Sequence, residues 1–84
     1  MAGHETELKM DIHTELDTRG LNCPLPILKA KKALATMDSG ALLKVISTDP
    51  GSMRDFQAFA RQTGNELVQQ TQADKDFVHV LKRR

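Results

Sequence analysis

The sequence contains one cysteine, Cys23, and two prolines follow it closely, Pro24 and Pro26. Proline is favoured in the first turn of a helix because the backbone N–H that it lacks would have no partner there. The pattern therefore places Cys23 at or just before a helix N-terminus. There the positive end of the helix dipole and unpaired N–H groups favour the thiolate, which is the nucleophilic form of cysteine. We interpret Cys23 as an exposed nucleophile on a stiffened helix start.

Two other roles for Cys23 fit the sequence less well. A lone cysteine is often a small buried hydrophobe, but a turn before it and prolines after it argue against burial. A zinc site needs further ligands, and the histidines at positions 4, 13 and 79 lack ligand-like spacing to Cys23. We therefore predict no metal site. A chain with one cysteine also has no resolving thiol that would close an internal disulfide.

Two charged residues precede Cys23 in the loop that contains Gly20. Asp17 and Arg19 lie close enough in sequence for the Arg19 guanidinium to favour a thiolate. The alternative is that both charges are merely solvated, as exposed loop charges usually are. The glycine permits the turn between the strand and the helix.

Basic residues further along the chain form a second candidate group. Lys29 and Lys32, with Lys31, lie on the predicted first helix, and Arg54 lies on the second. They are a candidate basic rim around the cysteine for docking a partner. A charged helix face needs no function, so a solvated surface is the alternative.

Length and composition limit the class of protein. Eighty-four residues make one small domain. Twelve basic residues against eleven acidic ones give a nearly neutral chain, which argues against direct nucleic-acid binding. A single cysteine fits a reducing compartment, and neither a signal-peptide run nor a membrane-spanning segment is evident. We therefore expect a cytoplasmic protein that acts as a monomer.

Hydrophobic periodicity and turn residues predict six elements in the order β-α-β-α-β-β, after a loose tail over residues 1–11. The predicted ranges are strand 12–17, helix 24–37, strand 41–48, a helix capped by Asp49 and Pro50 that ends at 63–65, and strands 66–72 and 77–82. A helix between two strands of one sheet predicts that the first two strands are parallel, and the last two should form a hairpin. The branched second strand should be central. We predict one α+β domain over 12–84, a two-layer sandwich with both helices on one face of a four-stranded mixed sheet.

These residues resemble the TusA/SirA family of small sulfur-carrier proteins. The family signature is Cys-Pro-x-Pro after a glycine-containing loop, and Gly20 with residues 23–26 matches it. Leu16-Asp17 before the loop, Gly40, Asp49-Pro50, Asp55 and Gly64 match further family features. The similarity extends from about residue 16 to residue 82.

The resemblance implies both a fold and a function. It implies a βαβαββ two-layer fold like the C-terminal domain of bacterial translation initiation factor three. It also implies that Cys23 carries sulfur as a covalent persulfide, with no other cofactor. The sulfur would come from a cysteine desulfurase or a rhodanese and pass to an acceptor protein. Thiolation of tRNA, supply of sulfur for molybdenum cofactor, and sulfur oxidation are the alternative destinations.

Two rival functions remain open at this point. The chain would be a non-catalytic regulatory or interaction module if Cys23 were incidental. It would be a thiol redox sensor if Cys23 cycled through sulfenic acid or a mixed disulfide.

Overall fold

The computed structural model describes residues 11–84, and the predicted tail lies outside them except for Asp11. The six elements are β1 (Ile12–Thr18), α1 (Leu25–Ala35), β2 (Leu42–Ser47), α2 (Ser52–Thr63), β3 (Glu66–Ala73) and β4 (Asp76–Lys82). In the described part of the chain, no helix is long and apolar enough to cross a membrane.

The strands form one sheet in the order β1-β2-β4-β3. β1 and β2 are parallel, while β4 pairs antiparallel with β2 and with β3. Both helices pack on one face, so the α+β two-layer sandwich and the mixed sheet are confirmed. The central position of β2 is also confirmed, and its alternate residues Leu43 and Val45 are fully buried.

The hydrophobic core lies between the sheet and the two helices. Its buried members are Ala30 and Leu34 from α1, Leu43 and Val45 from β2, Phe56, Phe59 and Ala60 from α2, and Leu81 from β4. The rings of Phe56 and Phe59 meet edge to face, with their centroids 6.1 Å apart. Burying an aromatic or aliphatic side chain of this size contributes about 1.5–3 kcal/mol, so these contacts fix the helices on the sheet.

The first helix is shorter than predicted at both ends. Pro24 occupies the N-cap position, and the helix begins at Leu25. At the other end, Thr36 N–H donates to the Ala33 carbonyl oxygen, and Met37 N–H to that of Leu34. These three-residue bonds tighten the last turn, which ends the α-helix although Met37 still packs against the core.

The predicted cap of the second helix is wrong. Gly51 is the N-cap residue, and no side chain bonds to the first turn of α2 there. Asp49 lies two residues earlier, where its Oδ1 accepts a hydrogen bond from Gly51 N–H at 3.0 Å. The other end of α2 is as predicted, because Gly64 adopts a left-handed conformation with φ of 79°.

A buried histidine lies beneath α2, and the sequence did not indicate its role. The His79 ring on β4 is fully buried and stacks on Phe56, with centroids 4.4 Å apart. Its Nε2 is 3.0 Å from Ser52 Oγ, and its Nδ1 is 3.0 Å from Gln70 Nε2. Both ring nitrogens therefore have partners inside the fold.

The surrounding bonds assign the tautomer of this histidine. The Met53 carbonyl oxygen only accepts, so the Gln70 amide nitrogen faces it at 2.8 Å and also donates to His79 Nδ1. Nε2 then carries the proton and donates to Ser52 Oγ. Burial lowers the pKa of His79 to about 4, since a charged ring would lose its water without gaining a counter-ion.

This histidine predicts an acid-sensitive stability. The unfolded chain binds a proton at His79 below about pH 6.5, whereas the folded chain binds it only near pH 4. The contribution is therefore fully present above pH 6.5 and is lost as the pH falls toward 4. We expect the free energy of unfolding in urea to fall by about 2 kcal/mol between pH 7 and pH 5.

One substitution checks the assignment. His79→Gln does not titrate and should flatten the pH dependence in this window, whatever it does to stability at pH 7. An unchanged slope in His79→Gln would refute the assignment.

Candidate functional site

Cys23 lies at the edge of the sheet where β1 and β2 both end. Because these strands are parallel, the loop after β1 and the turn after β2 emerge side by side. Cys23 is exposed in the first of these segments, just before α1. The predicted exposure and position of this residue are therefore confirmed.

Hydrogen bonds of two threonine side chains hold the Cys23 loop against the end of β2. Thr18 Oγ1 donates to the Ile46 carbonyl oxygen at 2.7 Å, which fixes the start of the loop. Gly20 N–H then donates to Thr48 Oγ1 at 2.9 Å. Gly20 has φ of 82°, the left-handed conformation that favours glycine, as predicted.

The amide of the cysteine itself is also bonded across this gap. Cys23 N–H donates to Asp49 Oδ2 at 3.0 Å. This carboxylate was expected to cap α2, yet it joins the two segments that form the site. The sequence contained one indication of this contact. Cys23 and Asp49 each follow a strand, and these two strands were predicted to be parallel, so the segments after them should lie together.

The first turn of α1 offers fewer free donors than the sequence suggested. Pro24 and Pro26 have no N–H, and the latter is buried against the fold. Leu25 N–H donates to the Asn22 carbonyl oxygen at 2.8 Å, and Cys23 N–H belongs to Asp49. The prolines therefore restrict the backbone conformation of this turn, and they leave it with few N–H groups that could stabilise an anion.

Carboxylates near Cys23 work against the predicted preference for the thiolate in the free protein. Hydrogen bonding of the thiol to the Asp55 carboxylate raises the pKa of Cys23 most, followed by partial desolvation and by the negative charges of Asp55 and Asp49. A carboxylate beside a thiol disfavours a second negative charge. Asp55 was expected only as an acidic residue in the first turn of α2, where it does lie.

Arg19 does not offset these carboxylates. Its guanidinium contacts Asp76 at 3.2 Å and Asp17 at 3.5 Å, and all three side chains are substantially exposed. These pairs tie the Cys23 loop to the start of β4. Exposed pairs of this kind contribute at most about 1 kcal/mol. The interpretation of Asp17 and Arg19 as surface charges is thus closer to the structure than thiolate stabilisation.

The basic residues are spread over different surfaces. Lys29 and Lys32 line a shallow depression beside β1, with Leu16 at its base. Arg54 lies along a separate groove with Asp55. Lys31 lies with the two C-terminal arginines near the far ends of the helices. The candidate basic residues therefore line separate depressions, and Lys29 and Lys32 share one of them.

Two exposed leucines, which were not predicted as part of the site, lie at the start of α1 just after the cysteine. Leu25 and Leu28 are 44% and 53% exposed, the largest exposures among the large hydrophobic residues of the described chain. Leu28 and Lys29 come three and four residues after Leu25, and Lys32 comes four residues after Leu28, which places all four on one stripe of α1. Their exposure could have been predicted, because both leucines lie outside the buried stripe predicted for this helix.

Chemically, the arrangement presents one accessible sulfur on a fixed backbone. Among residues 11–84, no three histidine, cysteine, aspartate or glutamate side chains come together as a metal site would require. The candidate reacting group is the exposed thiol of Cys23, with two carboxylates near it and an apolar stripe leading away from it.

Comparison with known proteins identifies the family of this chain. The family model described as sulfurtransferase TusA matches residues 14–83. The sulfur carrier protein TusA of Allochromatium vinosum is 56% identical over 73 residues, which cover 87% of this chain and 96% of that protein. The TusA protein of Pseudomonas putida strain F1 is 38% identical over 69 residues, 82% and 86% of the two chains.

A solved structure shows the same architecture. The crystal structure of a SirA-like protein from Desulfitobacterium hafniense superposes with a TM-score of 0.73 at 25% identity, covering 82% of this chain and 95% of that one. The residues that the family model matches include both segments that form the site. The chain therefore belongs to the TusA/SirA family of sulfur carrier proteins.

Proposed function

We propose that this protein accepts sulfane sulfur as a persulfide on Cys23 and passes it to an acceptor protein. The observation that carries the proposal is the exposed Cys23, fixed at the start of α1 in a chain of the sulfur-carrier family. The chain has no second cysteine, so the sulfur has no internal thiol to attack it. Release therefore requires a partner.

Each transfer exchanges one S–S bond for another. The Cys23 thiolate attacks the outer sulfur of a donor persulfide, a new S–S bond forms, and the donor's S–S bond breaks. The donor leaves as a thiolate and takes up a proton equivalent to the one that Cys23 lost. An acceptor thiolate then attacks the outer sulfur on Cys23 in the same way, which restores the Cys23 thiol. No oxidant or reductant is consumed.

We propose protein partners for both steps. A cysteine desulfurase or a rhodanese fits the donor step, because each forms a persulfide that an exposed thiol can reach. The stripe of α1 that follows Cys23 would contact these partners, since the thiol and two exposed leucines lie at its start.

Intact-protein mass spectrometry without reductant tests the proposal. The protein is incubated with a cysteine desulfurase and cysteine, and separately with a rhodanese and thiosulfate. We expect a gain of one sulfur mass that reductant removes. Cys23→Ser, which preserves the size of the side chain, should show no gain.

The rival functions predict different results. If neither donor loads the protein while Cys23 is freely alkylated, the sulfur-carrier proposal fails for these donors. Rapid reaction with peroxide in that case would identify a redox sensor. An unchanged cellular phenotype in Cys23→Ala would instead identify an interaction module.

Asp55→Asn tests the electrostatics of the thiol. The substitution removes a negative charge at nearly constant size, so it should lower the pKa of Cys23. The rate of alkylation at pH 7 should rise, since the thiolate fraction increases more than its nucleophilicity falls. The measurement is the alkylation rate by iodoacetamide as a function of pH. Equal pH profiles for wild type and Asp55→Asn would contradict the assignment.

Leu28→Ser tests the apolar stripe of α1. If a partner buries this leucine, its loss should raise the half-saturating carrier concentration in sulfur transfer about tenfold, a typical cost for an interface leucine. Alkylation of Cys23 by a small reagent should be unchanged.

The matched control for this variant is Val68→Ser, which removes an exposed apolar side chain from β3. It should leave both the transfer and the alkylation rates unchanged. Equal effects of the two substitutions on transfer would argue that α1 has no special part in docking.

A further inference from the structure

The turn after β2 holds the Cys23 loop through two neighbouring side chains. Thr48 Oγ1 accepts from Gly20 N–H, and Asp49 Oδ2 accepts from Cys23 N–H. We refer to Thr48 and Asp49 as the clamp. In both bonds a main-chain N–H of the loop donates to a side-chain oxygen of the clamp. They therefore fix the backbone position from which the thiol projects.

Asp49 is itself held in one orientation. Its Oδ1 accepts from Gly51 N–H at 3.0 Å, while its own N–H donates to Ser47 Oγ at 3.0 Å. With a donor on each carboxylate oxygen, the side chain cannot turn away without losing two hydrogen bonds. One negative charge is thereby fixed beside Cys23.

Asp55, in the first turn of α2, brings a second negative charge near the thiol. Within the described residues, neither Asp49 nor Asp55 forms an ion pair. Arg19, which is nearest in sequence, is turned toward the carboxylates of β1 and β4 instead. Arg54 lies along the groove of Asp55 without pairing with it.

We propose that Asp49 is a positioning residue for Cys23, and that Asp49 and Asp55 select partners whose reacting sulfur is surrounded by positive charge. A partner with a cationic entrance neutralises both carboxylates as it docks, so the Cys23 thiolate forms in contact with the donor. A partner with an anionic entrance must bring like charges together in a closed interface, which is costly. The inference rests on the proposed function only in taking Cys23 as the reacting group.

Thiol–disulfide exchange with two small disulfides of opposite charge tests the selection. Cystamine is a dication, and 3,3′-dithiodipropionate is a dianion. In each reaction the Cys23 thiolate forms a mixed disulfide, the probe's S–S bond breaks, and the released thiolate takes up a proton. The quantity measured is the ratio of the cation rate to the anion rate for each variant. Changes in the thiolate fraction cancel in this ratio.

We expect the ratio to fall by about threefold or more in Asp49→Asn and again in Asp55→Asn, from the Coulomb interaction of unit charges several ångströms apart in water. In wild type it should also fall toward the value for the variants at about 1 M salt. Asp38→Asn removes a charge between α1 and β2, at the opposite end of the sheet, and should not change the ratio. A ratio that is the same in all variants would overturn the selection.

Amide hydrogen exchange at Cys23 tests the positioning. Asp49→Ala removes the acceptor and should speed exchange of the Cys23 N–H, whereas Asp49→Asn keeps a carbonyl oxygen that can accept it. Protection of this amide should accordingly be lost in Asp49→Ala and recover in Asp49→Asn. A Cys23 amide in Asp49→Ala that is as protected as in wild type would overturn the positioning role.

The disulfide assay separates this inference from the proposed function. It requires only a reactive thiol and no sulfur transfer. A protein that shows the charge preference but takes up no sulfur would keep the electrostatic inference and refute the carrier function. A protein that loads sulfur but shows no charge preference would support the carrier function and refute the electrostatic inference.

Discussion

The parallel pairing of β1 and β2 is the constraint on which the site depends. A parallel pair brings the carboxyl ends of both strands to one edge, so the segments that follow them must lie together. One of these segments carries Cys23, and the other carries Asp49 and leads into α2 with Asp55. An antiparallel pairing would separate these groups by the length of the sheet. The rest of the fold keeps this edge in place, because β4 closes the other side of β2 and both helices cover one face.

The architecture could be predicted from the sequence because each element satisfied a local rule. Alternation at Ile12, Thr14 and Leu16 predicted the half-buried β1, and the branched residues of β2 predicted a central strand. Errors occurred at element ends, where the outcome depends on competing hydrogen bonds. Asp49 before Pro50 has the pattern of a helix cap, yet its carboxylate bonds to two amides outside the helix. That choice depends on a loop 26 residues away, which a local rule does not include.

The position of Cys23 could be predicted, but its electrostatics could not. A helix N-terminus favours a thiolate when its amides are free and its surroundings are neutral. Here the prolines remove two donors, Asp49 accepts from the amide of Cys23, and the Asp55 carboxylate raises the pKa of the thiol. The carboxylates come from another helix and another turn, so only the tertiary structure shows that they oppose the effect of the dipole. The buried His79 is similar, because its partners Ser52 and Gln70 come from two other elements.

The surface of α1 next to the thiol changes character along its length. Two carboxylates flank the sulfur, two exposed leucines follow, and Lys29 and Lys32 come after them. The acidic end has a consequence for encounters between copies of this protein. With one thiol per chain, the only disulfide that two copies can form joins Cys23 to Cys23. That approach places four carboxylates around a single bond, so the same charges that set the reactivity of the thiol also oppose its loss to a covalent dimer.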